Sequence, residues 1–507
     1  MTILKPSIEY TLLSPMLIMF GAAVVGLLIE AVLPGESRRY RAQVTVSTAA
    51  LGSAFIAVLL LRNHHGTAVM GSVMIDGPTL FFQGAILLAG MFTMAPIAER
   101  RLGAFALQGS LVPDSRDEQH AAAAGILQTE IFPLFLLTIG GMLAFCASAD
   151  LLTMFVALEV LSLPLYVLCG LAKRRRTMSQ EAALKYFLLG AFSSALFLYG
   201  VAFLYGSSGA LTLSGVAESL CRQGVPLSLA MTGIGLLAAG LLFKVGAVPF
   251  HWWVPDVYQG APTPVTGFMS AATKIAAFGA MLRLFYVALP NLRTEWRPVL
   301  WGLAVLTMLA AAVLTVTQTD IKRLLAYSSV TNVGFLLLGV SGSHDGLSAT
   351  MFYLATYGAT ALGAFAVIST IRQSDGQEAT DTCHWSGLGK YSPKAAGALT
   401  LFLLSMAGIP LTAGFVGKFA VFESVASAGG GPLVVIGVIA SAIAAFAYAR
   451  VIVMMFFSEH DFQTPRAVFP EWPTTAVIAL AATVTVGLGV MPEPLLDLAD
   501  RVGSFLA

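Results

Sequence analysis

The chain has 507 residues, of which 57% are hydrophobic and only 11% charged, with 28 Lys and Arg against 27 Asp and Glu. A soluble domain carries about 25% charged residues, so this composition is that of a membrane protein. The near-zero net charge leaves no basic face for nucleic acid and no acidic solvating tail.

A helix needs roughly 20 apolar residues to cross the hydrocarbon core. Fourteen such runs are predicted, at 10–33, 42–61, 78–98, 130–149, 151–172, 181–206, 226–249, 262–289, 298–317, 322–342, 347–371, 394–424, 431–457 and 474–492. The first lacks a basic leading segment and a small-residue cleavage site, so it reads as a retained helix. The longest loop, about 99–129, is too short for a soluble domain. The expected fold is an all-α, polytopic membrane domain.

Basic residues orient it. Loops after odd-numbered runs hold sixteen: Arg38, Arg39, Arg41, Arg100, Arg101, Arg116, Lys173, Arg174, Arg175, Arg176, Lys322, Arg323, Arg372, Lys390, Lys394 and Arg466. Loops after even-numbered runs, with both termini, hold six: Lys5, Arg62, Arg222, Arg293, Arg297 and Arg501. The odd loops therefore face the cytoplasm, and both termini face outward.

Run 7 contains G-A-V-P at Gly246–Pro249, and run 12 contains A-G-I-P at Ala407–Pro410. Five runs separate the two, so the matching helices cross in opposite directions. That parity predicts two inverted five-helix repeats, runs 4–8 over 130–289 and runs 9–13 over 290–457. They are preceded by 1–129 and followed by 458–507. Proline removes a backbone donor and clashes with the preceding turn, so runs 7 and 12 are predicted to be broken. Broken helices in inverted repeats line polar cavities in many transport folds.

Four lysines lie inside these runs, beyond their first residues: Lys185, Lys244, Lys274 and Lys418. Glu159 lies in the middle of run 5. One such charge at the bilayer centre costs about 2.5–3.5 kcal/mol on insertion scales, so repeating it implies a use for charge. Lys244 sits far along run 7, and Glu159 is its natural partner in the first repeat. A lysine held between desolvation and a carboxylate can exchange a proton as the carboxylate moves, although a static ion pair would also satisfy both groups. Lys274 adds a second cation on run 8 with no second carboxylate. Lys185 follows Glu181 at i,i+4 and reads equally as a surface pair, a snorkelling side chain or a functional lysine. Lys418 lies in the body of run 12, with Glu423 slightly off its face. His251, after Pro249, is either a structural donor or a proton relay. Hydroxyl and aromatic groups, among them Ser162, Tyr166, Ser328, Ser329, Asn332, Tyr353 and Tyr357, are mostly packing contacts, with a minority able to hold water wires.

Other chemistry is unsupported. The cysteines Cys146, Cys169, Cys221 and Cys383 are scattered without a C-x-x-C pair, so no metal, iron–sulfur or disulfide framework is expected. Nucleotide-loop, metalloprotease, nucleophile-elbow and dinucleotide motifs are missing, so the chain is expected to bind no redox cofactor itself.

Several segments are recognisable. E-V-L-S-L-P-L-Y at 159–166, E-A-A-L-K-Y-F-L-L-G-A-F-S-S-A at 181–195 and F-K-V-G-A-V-P-F-H-W-W-V-P-D-V-Y-Q-G-A-P-T-P-V-T at 243–266 resemble the antiporter-like subunits of respiratory complex I. D-I-K-R-L-L-A-Y-S-S-V at 320–330 and G-I-P-L-T-A-G-F-V-G-K-F at 408–419 do the same. The first two are most similar to the subunit-N branch. A lysine at 418 fits that branch, where subunit M is expected to carry glutamate, and a chain ending soon after run 14 lacks the lateral helix of subunit L.

The resemblance implies proton pumping driven by quinone reduction elsewhere in a bacterial inner-membrane complex. It implies roles for Glu159 as the helix-5 glutamate, Lys244 as its partner, Lys274 as the connecting lysine and Lys418 as the outward lysine, with Lys185 and His251 also functional. It places NADH, FMN, iron–sulfur clusters and quinone on other subunits. Its expected partners are subunits M and L with the lateral helix, small subunits K and J, and lipid. A subunit of a multi-subunit cation/proton antiporter and a non-pumping scaffold are the alternatives.

Overall fold

Each predicted apolar run meets a helix in the computed structural model, which describes residues 8–100, 105, 128–172, 176–222, 226–343, 345–372, 378–458, 466–468 and 470–506. Lys5, Arg101, Arg116, Lys173, Arg174, Arg175 and most of the predicted 99–129 loop lie outside the described residues. Helices α1 (Tyr10–Val32), α2 (Glu36–Leu60) and α3 (Gly77–Ala98) lead to α4 (Ile131–Ala147), α5 (Leu151–Cys169) and the long α6 (Arg176–Ser208). A short α7 (Leu213–Leu220) precedes α8 (Leu227–Val245), α9 (Trp253–Gly260) and α10 (Thr263–Ala288). Next come α11 (Arg293–Val316), α12 (Ile321–Val340), α13 (Gly346–Thr370) and the one-turn α14 (Leu388–Tyr391). The series closes with α15 (Pro393–Ala407), α16 (Ala413–Ser427), α17 (Gly431–Phe457), α18 (Trp472–Val490) and α19 (Glu493–Val502). Two antiparallel pairs, β1 (Gly66–Ala68) with β2 (Val73–Ile75) and β3 (Ile371–Arg372) with β4 (Arg466–Ala467), tie loops together.

Among the described residues, twelve helices are long and apolar enough to cross a membrane. The predicted run 130–149 becomes a 17-residue helix, and 394–424 becomes two helices of 15 residues each. Run 7 is also longer than its apolar stretch: it breaks after Val245 and resumes as α9, beyond the predicted limit of 249.

Burial ranks the helices. In the most apolar stretch of α10 every residue is buried, and 94% are in α12, against 17% in α18. Lipid tails are as apolar as leucine, so outer helices such as α1 keep Val24, Leu27 and Leu28 exposed at no cost. The centre, formed by α10, α12 and α13, is where polar side chains collect.

The two breaks share one local geometry. Gly246 (φ +80°) donates its N–H to the Leu242 and Phe243 carbonyls at 3.0 Å, and Ala247 N–H returns to Leu242 at 2.9 Å. Gly408 (φ +83°) donates to Leu404 at 3.1 Å and Ser405 at 3.0 Å, and Ile409 N–H returns to Leu404 at 3.1 Å. Both are left-handed helix ends, which glycine adopts without a Cβ penalty. A helix ahead of each break is capped alike: the Asp150 carboxylate accepts Thr153 N–H at 2.8 Å on α5, and Asp320 accepts Lys322 N–H at 2.9 Å on α12.

Candidate functional site

The first break places Lys244 in the last turn of α8, where the helix dipole favours a cation. Its Nζ donates to Ser162 Oγ of α5 at 2.7 Å and to Tyr186 OH of α6 at 3.1 Å. Glu159 is within electrostatic reach, yet no ion pair joins it to Lys244 within 4.0 Å. The predicted pair is therefore apart: the shorter Ser162 side chain, one turn further on α5, takes the ammonium. Glu159 Oε1 is buried without a hydrogen-bond partner.

Lys185 makes the i,i+4 pair its spacing allowed and a second one across to α9. Its side chain is 42% exposed and bridges Glu181 at 2.7 Å and Asp256 of α9 at 2.8 Å. The other oxygen of Asp256 accepts from Arg323 of α12 at 2.6 Å. His251, in contrast, is buried; the Pro249 backbone is near it, and neither ring nitrogen meets hydrogen-bond geometry. Its ring lies 4.9 Å from that of Trp252 and 6.3 Å from that of Tyr327, and Lys244 donates to other partners.

At the centre, Lys274 of α10 donates to the Ser329 carbonyl of α12 at 2.8 Å and to its hydroxyl, with the Tyr357 ring 5.5 Å away. Two π-helical turns, Met269–Thr273 and Leu284–Ala288, flank the α-helical stretch that starts at Lys274. Such extra residues within a helix frequently occur at functional sites. Tyr258 of α9 and Tyr357 of α13, both buried, lie within interaction range of the Ser329 side chain.

The second break positions Lys418 from the opposite side. It belongs to α16, after the break, and its Nζ reaches back to the Met406 and Ala407 carbonyls at 2.7 and 3.2 Å and to Ser441 Oγ of α17 at 2.9 Å. It thus caps carbonyls that the end of α15 leaves unpaired. Glu423 is exposed and pairs with no lysine here. Between Lys274 and Lys418, Ser328 contacts Tyr448 OH at 2.5 Å and Met406 Sδ at 3.8 Å, and Tyr353 OH donates to Asn332 at 2.5 Å.

Several neighbouring hydroxyls only satisfy their own helices: Ser270, Thr273, Thr331 and Thr356 donate to carbonyls three or four residues back, whereas Thr266 also reaches the Tyr258 carbonyl of α9 at 3.1 Å. Tyr186, Tyr258, Tyr448 and Ser441 were missed. Their signal was a tyrosine or serine in an otherwise apolar run, but only packing shows which face meets a lysine. Lys322, counted as a loop charge, is buried in the first turn of α12, where it donates to the Ala261 carbonyl at 2.7 Å. Among the described residues no three His, Cys, Asp or Glu side chains gather as metal ligands.

The model of a family described as NADH:quinone oxidoreductase/Mrp antiporter, transmembrane, matches residues 148–444, which hold both breaks and Lys185, Lys244, Lys274 and Lys418. The NADH-quinone oxidoreductase subunit N of Rhodococcus opacus is 55% identical, with 99% of this chain and 97% of that protein aligned. The chain belongs to the NADH-quinone oxidoreductase subunit N family. In respiratory complex I from Thermus thermophilus with bound aureothin, one chain superposes on this subunit N family member with a TM-score of 0.76 at 33% identity, covering 95% and 98% of the two chains. A chain of the Mrp complex from Dietzia superposes with a TM-score of 0.80 at 21% identity, covering 97% of each, and shows that the fold is shared beyond subunit N.

Proposed function

We infer that this chain is a proton-translocating membrane-arm subunit of an NADH:quinone oxidoreductase, coupling quinone reduction elsewhere in the complex to proton export. The observation that carries the reading is the set of three buried lysines, Lys244, Lys274 and Lys418, each held by neutral oxygens and by no carboxylate within ion-pair distance among the described residues. Fixed ion pairs would need no such arrangement. A lysine solvated by hydroxyls and carbonyls can lose its proton without stranding a buried carboxylate.

In the proposed cycle, Glu159 approaches Lys244 and draws a proton onto it, then recedes to the separated arrangement seen here. The proton passes to Lys274 and on to Lys418, with Ser329, Ser328 and Tyr448 lining the way. Lys185 feeds the cytoplasmic end, and His251 lines the route between the first break and α12. Each proton exported against about 150 mV takes about 3.5 kcal/mol from the membrane potential alone. Flavin, iron–sulfur and quinone chemistry belongs to other subunits. The further reading covers a bacterial inner membrane with both ends outside, five-helix units at 130–289 and 290–457, and neighbours of the M, L, K and J types.

Lys244→Ala, in fully assembled complex in inverted membrane vesicles, is expected to abolish NADH-driven acidification. Wild-type acidification per assembled complex would refute the assignment. The antiporter alternative predicts co-purification with membrane subunits only, without flavin and iron–sulfur proteins.

A further inference from the structure

The short helix α9 is held from both sides by a few side chains, Lys185 among them. Trp253 stacks on Tyr186 of α6, with ring centroids 4.6 Å apart and planes at 10°, and Tyr186 is the hydroxyl that touches Lys244. One turn along the same helix, Asp256 gives one oxygen to Lys185, the neighbour of Tyr186, at 2.8 Å. It gives the other to Arg323 at 2.6 Å. Gln259 adds contacts to Arg323 and Asp320, both at 3.0 Å. Arg323 sits on α12, and six residues further along that helix Ser329 holds Lys274.

We propose that Asp256 is a positioning residue that couples the Lys244 site to the Lys274 site through α9. Its carboxylate offers each cation a separate anionic oxygen, where an amide or a hydroxyl has one neutral acceptor oxygen for both. The role is one of register rather than stability, because side chains 28–42% exposed form ion pairs worth little to folding. A shift of α6 relative to α12 must either carry α9 along or break one of these bonds. Asp256 therefore makes the Tyr186 hydroxyl on Lys244 and the Ser329 oxygens on Lys274 move as one unit.

The inference rests on the proton-translocating reading, and one assay separates the two. NADH-driven acidification is measured per assembled complex in inverted vesicles for Lys244→Ala, Asp256→Asn, Asp256→Glu, Arg323→Gln and the Asp256→Asn/Arg323→Gln pair. Asp256→Asn is expected to assemble, since Lys185 keeps Glu181 and Arg323 keeps Gln259 and Gln318. Acidification should fall about tenfold, the size of one lost charge-assisted bond. Asp256→Glu should recover most of it, and the pair should be no worse than the poorer single variant. Normal acidification by Asp256→Asn beside an inactive Lys244→Ala overturns the coupling role alone. Normal acidification by Lys244→Ala overturns the functional reading beneath it. Independent, multiplying losses from Asp256→Asn and Arg323→Gln, or no recovery with glutamate, also overturn the coupling.

Discussion

Gly408→Ala tests whether the second break exists to place Lys418. At φ +83° an L-residue in the left-handed region costs about 1–2 kcal/mol. The added methyl would lie 3.1 Å from Lys418 Cδ and 3.4 Å from its Nζ. The flexible lysine yields more readily than the backbone, so Nζ should leave the Met406 carbonyl, now 2.7 Å away. The backbone term alone disfavours the native cap by a factor of about 5–30, too little to stop assembly of a large helical complex. Gly302→Ala is the control, since a methyl there meets nothing within 4 Å. NADH-driven acidification per assembled complex is the assay, with complex quantified on native gels. Gly408→Ala should pump several-fold more slowly than Gly302→Ala. Equal rates at equal assembly would show that the break does not serve Lys418.

Three further outcomes are expected. Asp76→Asn should deplete assembled complex, because Arg283 is buried against both Asp76 oxygens at 2.7 and 2.8 Å, and stranding a buried charge costs about 3–5 kcal/mol; blue-native gels measure it. Ser329→Ala removes the hydroxyl on Lys274 but keeps the carbonyl bond, so acidification should slow while assembly on the same gels stays normal. A membrane-impermeant maleimide added to right-side-out vesicles should label exposed Cys221 and not Cys383, while buried Cys146 and Cys169 stay unlabelled from either side; mass spectrometry of tryptic peptides reads the pattern.

Apolar length and glycine–proline punctuation sufficed to place nearly every helix, because in lipid each backbone group must be paired within its own segment. The same logic located both breaks. It also singled out Lys244, Lys274 and Lys418, since a lysine in lipid without a use is costly. What it could not supply was partner choice. Glu159 was the natural counterion for Lys244 by composition, yet Ser162, one turn away, takes the contact. Lys185, open between a surface pair and a functional lysine, bridges two carboxylates half-buried, whereas Lys322 looked like a loop charge and is buried.

The sequence by itself determined membrane residence, helix order and three of the buried cations, Lys244, Lys274 and Lys418, all properties of single segments judged against a bilayer. Only the tertiary structure decided which oxygens hold each cation: the carbonyls of a broken helix for Lys418, a serine on α12 for Lys274, and a tyrosine and a serine from two other helices for Lys244. Those contacts depend on the rotation and depth at which helices distant in sequence pack, and no single segment encodes that.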